Sequence, residues 1–284
     1  MAIRREVIPL SIQTGAEQTR PDILPLQAPI RQKVRKAPSP RQGTSLPYAT
    51  VTPRRLGYVR FKTVLEFLAA VVLLVLAAPL IAVAGLLVKL TSRGPIFYTQ
   101  TRVGRHGLLF TIYKIRSMVH DCESLTGPRW AIPGDPRVTW IGHFLRFTHL
   151  DELPQLVNVL RGEMSLIGPR PERPEFLAPL ERALPSYRCR LSVRPGVTGL
   201  AQVKLGPDTD LNSVRRKLAY DLHYVEHVSF WLDLRILICT AFKTMGDPAG
   251  LSRRFPLGAA VEALEFGIEM TMVQNSGVRP RRVA

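Results

Sequence analysis

Phe67 to Val88 reads FLAAVVLLVLAAPLIAVAGLLV, and these 22 residues carry no charge. A run of that length can enter or cross the hydrocarbon core of a bilayer. The alternative is a helix buried in a soluble core, but soluble cores seldom use so long an uncharged run. Pro79 falls near its middle. Proline removes a backbone donor and its ring opposes the carbonyl four residues back, so a kink is expected there.

Both flanks of the run are basic. Arg54, Arg55, Arg60 and Lys62 precede it, and Lys89, Arg93, Arg102 and Arg105 follow. Lys/Arg bias marks the cytoplasmic end of a spanning helix. A kinked helix that dips into the membrane and returns to the same face suits two basic flanks. Charge counts are only a bias and leave a single span open.

Outward from this segment the chain divides into a basic arm (1–57), the membrane segment (58–93), a catalytic region (94–246) and a tail (247–284). The arm holds many prolines and ten Lys/Arg, opposed only by Glu6, Glu17 and Asp22. It lacks apolar periodicity and is expected to be disordered, either as a solvated tail or drawn weakly to anionic membrane lipids. Residues 1–60 contain no apolar h-region, so no signal peptide is expected. Residues 94–246 alternate short apolar segments with turns and amphipathic helices, an α/β, mostly helical region. Within it, Val228–Met245 is apolar and aromatic but carries Asp233, Arg235 and Lys243. That mixture suits a helix lying in the headgroup layer, and equally one packed on a core. The tail shows one weak helical pattern, Ala259–Val273, and a basic end.

The net charge of +17 calls for an anionic partner: nucleic acid, lipid headgroups or a phosphorylated substrate. No nucleic-acid-binding motif or aromatic platform accompanies the charge, and the bases are spread over arm and flanks, so nucleic acid is not expected as a partner. Cys122, Cys189 and Cys239 have neither paired nor metal-ligand spacing and read as reduced thiols. His223 and His227 sit four apart, but no third ligand is placed with them, and they read as structural.

The chemistry concentrates in Leu145 to Phe176, LRFTHLDELPQLVNVLRGEMSLIGPRPERPEF. Leu153, Leu156, Val157 and Leu160 fall at helical spacing, so a helix is expected to begin near Asp151 with Pro154 in its first turn. There Asp151 and Glu152 would meet the positive end of the helix dipole, which keeps carboxylates ionised and also attracts phosphate. Asp151 as a plain N-cap is the simpler reading. Gly168-Pro169-Arg170-Pro171 then places a guanidinium in a rigid turn, and Arg146 lies just before the acids. Lys114 and Arg116 add further cations. Acids mixed with several cations beside a membrane segment suggest a diphosphate held together with a divalent metal.

Five ordered stretches resemble one family: Gly94–Met118, Asp135–Arg146, Thr148–Pro171, Val193–Val203 and Lys217–Thr240. Over about residues 58–246 the chain resembles the bacterial sugar transferases, monotopic polyprenyl-phosphate phosphoglycosyl transferases. The resemblance implies a re-entrant helix hairpin broken at Pro79 and a small cytoplasmic catalytic domain on interfacial helices, at the bacterial inner membrane. It implies a Mg²⁺-dependent ping-pong reaction between a UDP-sugar and polyprenyl phosphate in the making of a surface polysaccharide. The family's nucleophile falls on Asp151 and its metal-holding acid on Glu152, with both carboxylates near the metal. Its phosphate-binding cations fall on Lys114, Arg146 and Arg170, beside Pro171, and Arg194 is a further substrate-binding candidate. One departure stands out. The family's Lys-Arg-x-x-Asp at the start of the membrane segment is Lys62, Thr63 and Glu66 here. It puts the anchoring of the hairpin in doubt and is the only support for a rival reading, a tethered binding or assembly protein that has lost catalysis.

Overall fold

The computed structural model describes residues 55–247 apart from 125–126, 131, 133 and 209, together with Pro53 and Leu257. Nearly all of the basic arm, and the Ala259–Val273 pattern, lie outside the described residues.

The uncharged run forms the middle of α1 (Leu56–Thr91), one 36-residue helix that continues through Pro79, so the break expected there for a hairpin of two helices is not seen. At 1.5 Å per residue it is about 54 Å long. Among the described residues it is the one helix long and apolar enough to cross a membrane. Its inward stripe is Lys62, Glu66, Ala70, Ala77, Ala84 and Val88, all buried. The alanines, seven apart, let the helix approach its neighbours closely. Its other faces expose Phe67, Val72, Val75, Leu76, Leu80, Val83, Leu86 and Leu90. An apolar surface of that extent is abnormal for a protein in water.

After α1, β1 (Phe97–Val103) pairs antiparallel with β2 (Leu109–Ile115), in a register that sets Tyr98 opposite Lys114. A long connection leads to α2 (Trp140–Phe147), capped by the Thr139 hydroxyl on the Gly142 amide. Next come α3 (Leu156–Leu160), β3 (Ser165–Ile167), α4 (Pro174–Ala183) and β4 (Gly196–Thr198), which pairs parallel with β3. The described chain closes with α5 (Leu200–Lys204), α6 (Leu211–His227) and α7 (Phe230–Thr244). Asp210 and Ser213 form a reciprocal capping box at the start of α6, and Ser229 caps α7. Two two-stranded sheets among helices make the domain α/β and mostly helical, as expected.

The main core gathers Ala70 and Ala77 of α1 with Leu156, Val159, Met164, Leu166, Ile167, Leu200, Tyr224 and Ile236. A second cluster joins Ala84 and Val88 of α1 to Ile115, Ile141 and Leu145. The catalytic region therefore lies along most of the length of α1. Val228–Met245 packs on the core along one side and leaves an apolar side open. One face of α7 buries Leu232, Asp233, Ile236 and Cys239, while Phe230, Trp231, Leu234 and Leu237 remain exposed. On α2, Trp140 (81 % exposed), Phe144 and Phe147 form a second outward apolar stripe.

The altered motif at the start of α1 remains anchored. Lys62 Nζ sits 2.8 Å from Glu66 and 2.6 Å from Asp233 of α7. The extra methylene of Glu66 reaches β3: Ser165 donates to it at 2.5 Å and the Ile167 amide at 3.2 Å. Tyr58 donates to Asp233 at 2.6 Å, and the Tyr224 hydroxyl lies 2.8 Å from the other Asp233 oxygen. Thr63, where the family has arginine, accepts a long 3.4 Å hydrogen bond from Arg194. The doubt about anchoring is thereby answered for Glu66, while Thr63 keeps only the long contact from Arg194.

Candidate active site

The expected helix start near Asp151 is displaced. Leu150–Gln155 is a tight 3-10 turn, and α3 begins only at Leu156. Pro154 supplies no N–H to an α-helical turn, and His149, not Asp151, is the cap, in a left-handed conformation (φ 56°). The turn packs against β2, α1 and α2. It thus sets the acids beside the Lys114 end of β2 and the Arg146 end of α2.

Glu152 is clamped by two of the predicted cations. Lys114 Nζ and Arg170 Nη2 each lie 2.6 Å from Oε1, and Arg170 Nη1 donates to Oε2 at 3.2 Å. The bidentate fork from a rigid turn is the geometry arginine supplies and lysine does not. Burial works against the charge, yet Arg170 and Lys114 hold Glu152 well below the usual carboxylate range.

Asp151 is the opposite case. It is only 5 % exposed, and its Oδ1 is buried without a hydrogen-bond partner. Burial pushes its carboxyl up to about 6, against the pull of Lys114 and with a further push from the Glu152 charge. The carboxyl is therefore not held low as expected for a helix amino terminus: desolvation dominates, and the charges of Lys114, Arg146 and Arg170 offset only part of it. Four residues on, Gln155 is 1 % exposed with its Nε2 also unpartnered. Each is a buried polar atom that the described residues leave without a partner.

Arg146 on α2 is aimed by Ser117, whose hydroxyl accepts from Nε at 2.8 Å. Gly142 lets this happen, because a Cβ there would collide with the Ser117 carbonyl. Pro171 is buried, and its carbonyl accepts from Arg102 at 3.0 Å. Two expected cations stand elsewhere. Arg116 spends its guanidinium on the carbonyls of Ser92, Arg93 and Pro95, tying off the end of α1. Arg194 points to Thr63 of α1.

Several further residues have partners away from the acid pair. Gly196 and Gly199 admit the Gly168 backbone where any Cβ would clash, which fixes the turn before Arg170. Asp135 and Arg137 pair bidentately within their own loop. Tyr220 and Tyr224 are buried in the core. His223 and His227 stack on each other, and among the described residues no group of three His, Cys, Asp or Glu side chains forms a metal cage. Sequence reasoning missed Arg102 and Arg190, whose partners are remote in the chain.

Residues 57–247 match the bacterial sugar transferase family, and the chain belongs to it. It is 43 % identical over 183 residues to the UDP-N-acetylgalactosamine-undecaprenyl-phosphate N-acetylgalactosaminephosphotransferase of Aeromonas hydrophila, covering 64 % of this chain and 43 % of that one. It is 42 % identical over 184 residues to the undecaprenyl-phosphate glucose phosphotransferase of Komagataeibacter xylinus, covering 63 % of this chain and 35 % of the relative. It is also 42 % identical over 202 residues to the UDP-glucose:undecaprenyl-phosphate glucose-1-phosphate transferase of Caulobacter vibrioides, covering 70 % and 73 %. The chain thus spans less than half the length of the first two relatives and about three quarters of the third.

Proposed function

We propose that this protein transfers a hexose-1-phosphate from a UDP-sugar to polyprenyl phosphate at the cytoplasmic face of the bacterial inner membrane. The observation that carries the reading is the pairing of a buried Asp151 oxygen without a partner with a Glu152 held by Lys114 and Arg170. The relatives' names, which give UDP-sugars and undecaprenyl phosphate as substrates, support it.

In this reading an Asp151 carboxylate oxygen attacks the β-phosphorus of the UDP-sugar. A bond forms from Asp151 to phosphorus, the phosphorus–oxygen bond toward the α-phosphate breaks, and UMP leaves with the electron pair. An oxygen of polyprenyl phosphate then attacks the sugar-phosphoryl aspartate and restores the carboxylate. Lys114, Arg146 and Arg170 offset the charge of the diphosphate. An unpartnered carboxylate oxygen beside a carboxylate kept ionised fits Mg²⁺, which takes one or two carboxylates plus substrate phosphates. Asp151 and Glu152 would hold it, and bound there it would neutralise diphosphate charge.

The membrane reading has its own support. The domain packs on α1 from Lys62 to Val88, so a straight crossing would carry the domain, with its charged Arg116 and Asp233, into the bilayer core. We read α1 as bending in the membrane at Pro79, where a backbone N–H is missing, so that both ends share the cytoplasmic face and that cost is avoided. The outward stripes of α2 and α7 then lie in the headgroup layer. Incubating the membrane fraction with polyprenyl phosphate and UDP-glucose, UDP-galactose or UDP-N-acetylhexosamines tests the whole reading. Sugar phosphate should pass to lipid from at least one donor, and its absence with every donor would refute the transferase.

A further inference from the structure

The segment Pro169–Glu172 presents Arg170 to Glu152, yet it cannot hold itself. Pro169 and Pro171 have no N–H, so the stretch must be fixed through its carbonyls. All four are taken. Pro169 O accepts from the Gly196 amide at 2.9 Å, and Glu172 O from the Val103 amide at 2.9 Å. Arg170 O accepts from Arg190 Nη2 at 2.7 Å, and Pro171 O from Arg102 Nη1 at 3.0 Å. Two of the four donors are therefore guanidinium groups, one of which serves the catalytic arginine directly.

Arg190 is only 1 % exposed. Its guanidinium is fully committed: Nε and Nη2 lie 2.9 and 2.7 Å from Asp221 Oδ2 on α6, and Nη1 meets the Tyr187 hydroxyl at 3.3 Å. The Tyr187 hydroxyl in turn donates to Glu172 at 3.2 Å. A buried ion pair contributes little to net stability compared with an apolar pair of the same volume. Retaining one whose spare N–H reaches the Arg170 carbonyl calls for another role, and the contact supplies it. We infer that Arg190, oriented by Asp221, is a positioning residue that fixes the Arg170 backbone so that its fork meets Glu152 and a diphosphate oxygen together; this rests on the transferase reading above.

Arg190→Lys keeps the charge, but a single ammonium cannot bridge Asp221 and the Arg170 carbonyl as the planar fork does. Asp221→Asn keeps shape and loosens the orientation, and it serves if the first variant does not fold. Each should lower kcat/KM for UMP release from the UDP-sugar roughly tenfold, as expected for a coupled contact. In an Arg170→Lys background the same changes should cost less than about twofold more, because their effect runs through Arg170. Losses that multiply independently in the double variants would overturn the inference. A second readout needs no activity. Phenylglyoxal modification of Arg170, followed by peptide mass, should rise several-fold in Arg190→Lys over wild type, and unchanged protection would also overturn it. A wild type that releases no UMP would sink the transferase reading, while the modification experiment still decides the positioning role.

Discussion

Asp151→Asn should abolish transfer and, at neutral pH, stabilise the fold. Burial lifts the Asp151 carboxyl from 3.8 to about 6. Between those values the folded chain binds more protons than the unfolded one, so the cost of Asp151 to stability grows as pH rises. A shift of that size corresponds to ~3 kcal/mol at pH 7 and about half as much at pH 5. At 5 % exposure there is little solvent to screen it. The asparagine amide, facing the same orphaned position, returns about 1 kcal/mol of that. A net gain of about 1–2 kcal/mol remains, or roughly 2–8 °C in Tm for a domain of this size. Thermal unfolding of wild type and variant in nanodiscs at pH 7.5 and pH 5 measures it. The variant should melt higher at pH 7.5, with the gap clearly narrower at pH 5. A variant that melts lower at pH 7.5, or a gap that does not change with pH, would refute the desolvation argument.

Three further outcomes are expected. Arg170→Lys keeps the charge but loses the fork on Glu152, so turnover should fall by about an order of magnitude or more, and unchanged kinetics would remove Arg170 from the site. Glu66→Asp restores the family's residue but shortens the reach to Ser165 and Ile167; it should lower stability by about 1–3 kcal/mol in denaturant titration rather than improve the protein. Single cysteines placed at Tyr58 and at Arg93 should both be shielded from an impermeant thiol reagent outside intact cells, and labelling at one end only would mean a true span.

The legible parts of this protein were those written in local pattern. An uncharged 22-residue run can only be a long apolar helix, and α1 is that helix. The acid pair, Lys114 and the Gly-Pro-Arg-Pro turn stand out because each is an unusual residue type in a compact motif, and the fold joins Glu152, Lys114 and Arg170 within hydrogen-bonding distance. The tight turn at Leu150–Gln155 reads as α-helix in the sequence because apolar spacing does not separate the two within one turn. Burial of Asp151 was not legible, since it depends on what α1, α2 and β2 stack over the turn. Arg116 and Arg190 show the same limit. A guanidinium's partner can be a carbonyl tens of residues away, and nothing in the spacing separates a phosphate-binding arginine from one that pins a loop.

The central claim is that Asp151 becomes covalently bonded to the sugar phosphate while Glu152 does not. Its most direct measurement is single-turnover incubation of the purified protein with UDP-sugar and Mg²⁺ in the absence of lipid acceptor, followed by peptide mass spectrometry. The account predicts UMP release of up to about one equivalent per protein and a sugar-phosphoryl adduct on the peptide at Asp151. An adduct on Glu152, or no adduct with kinetics that need both substrates bound together, would contradict it.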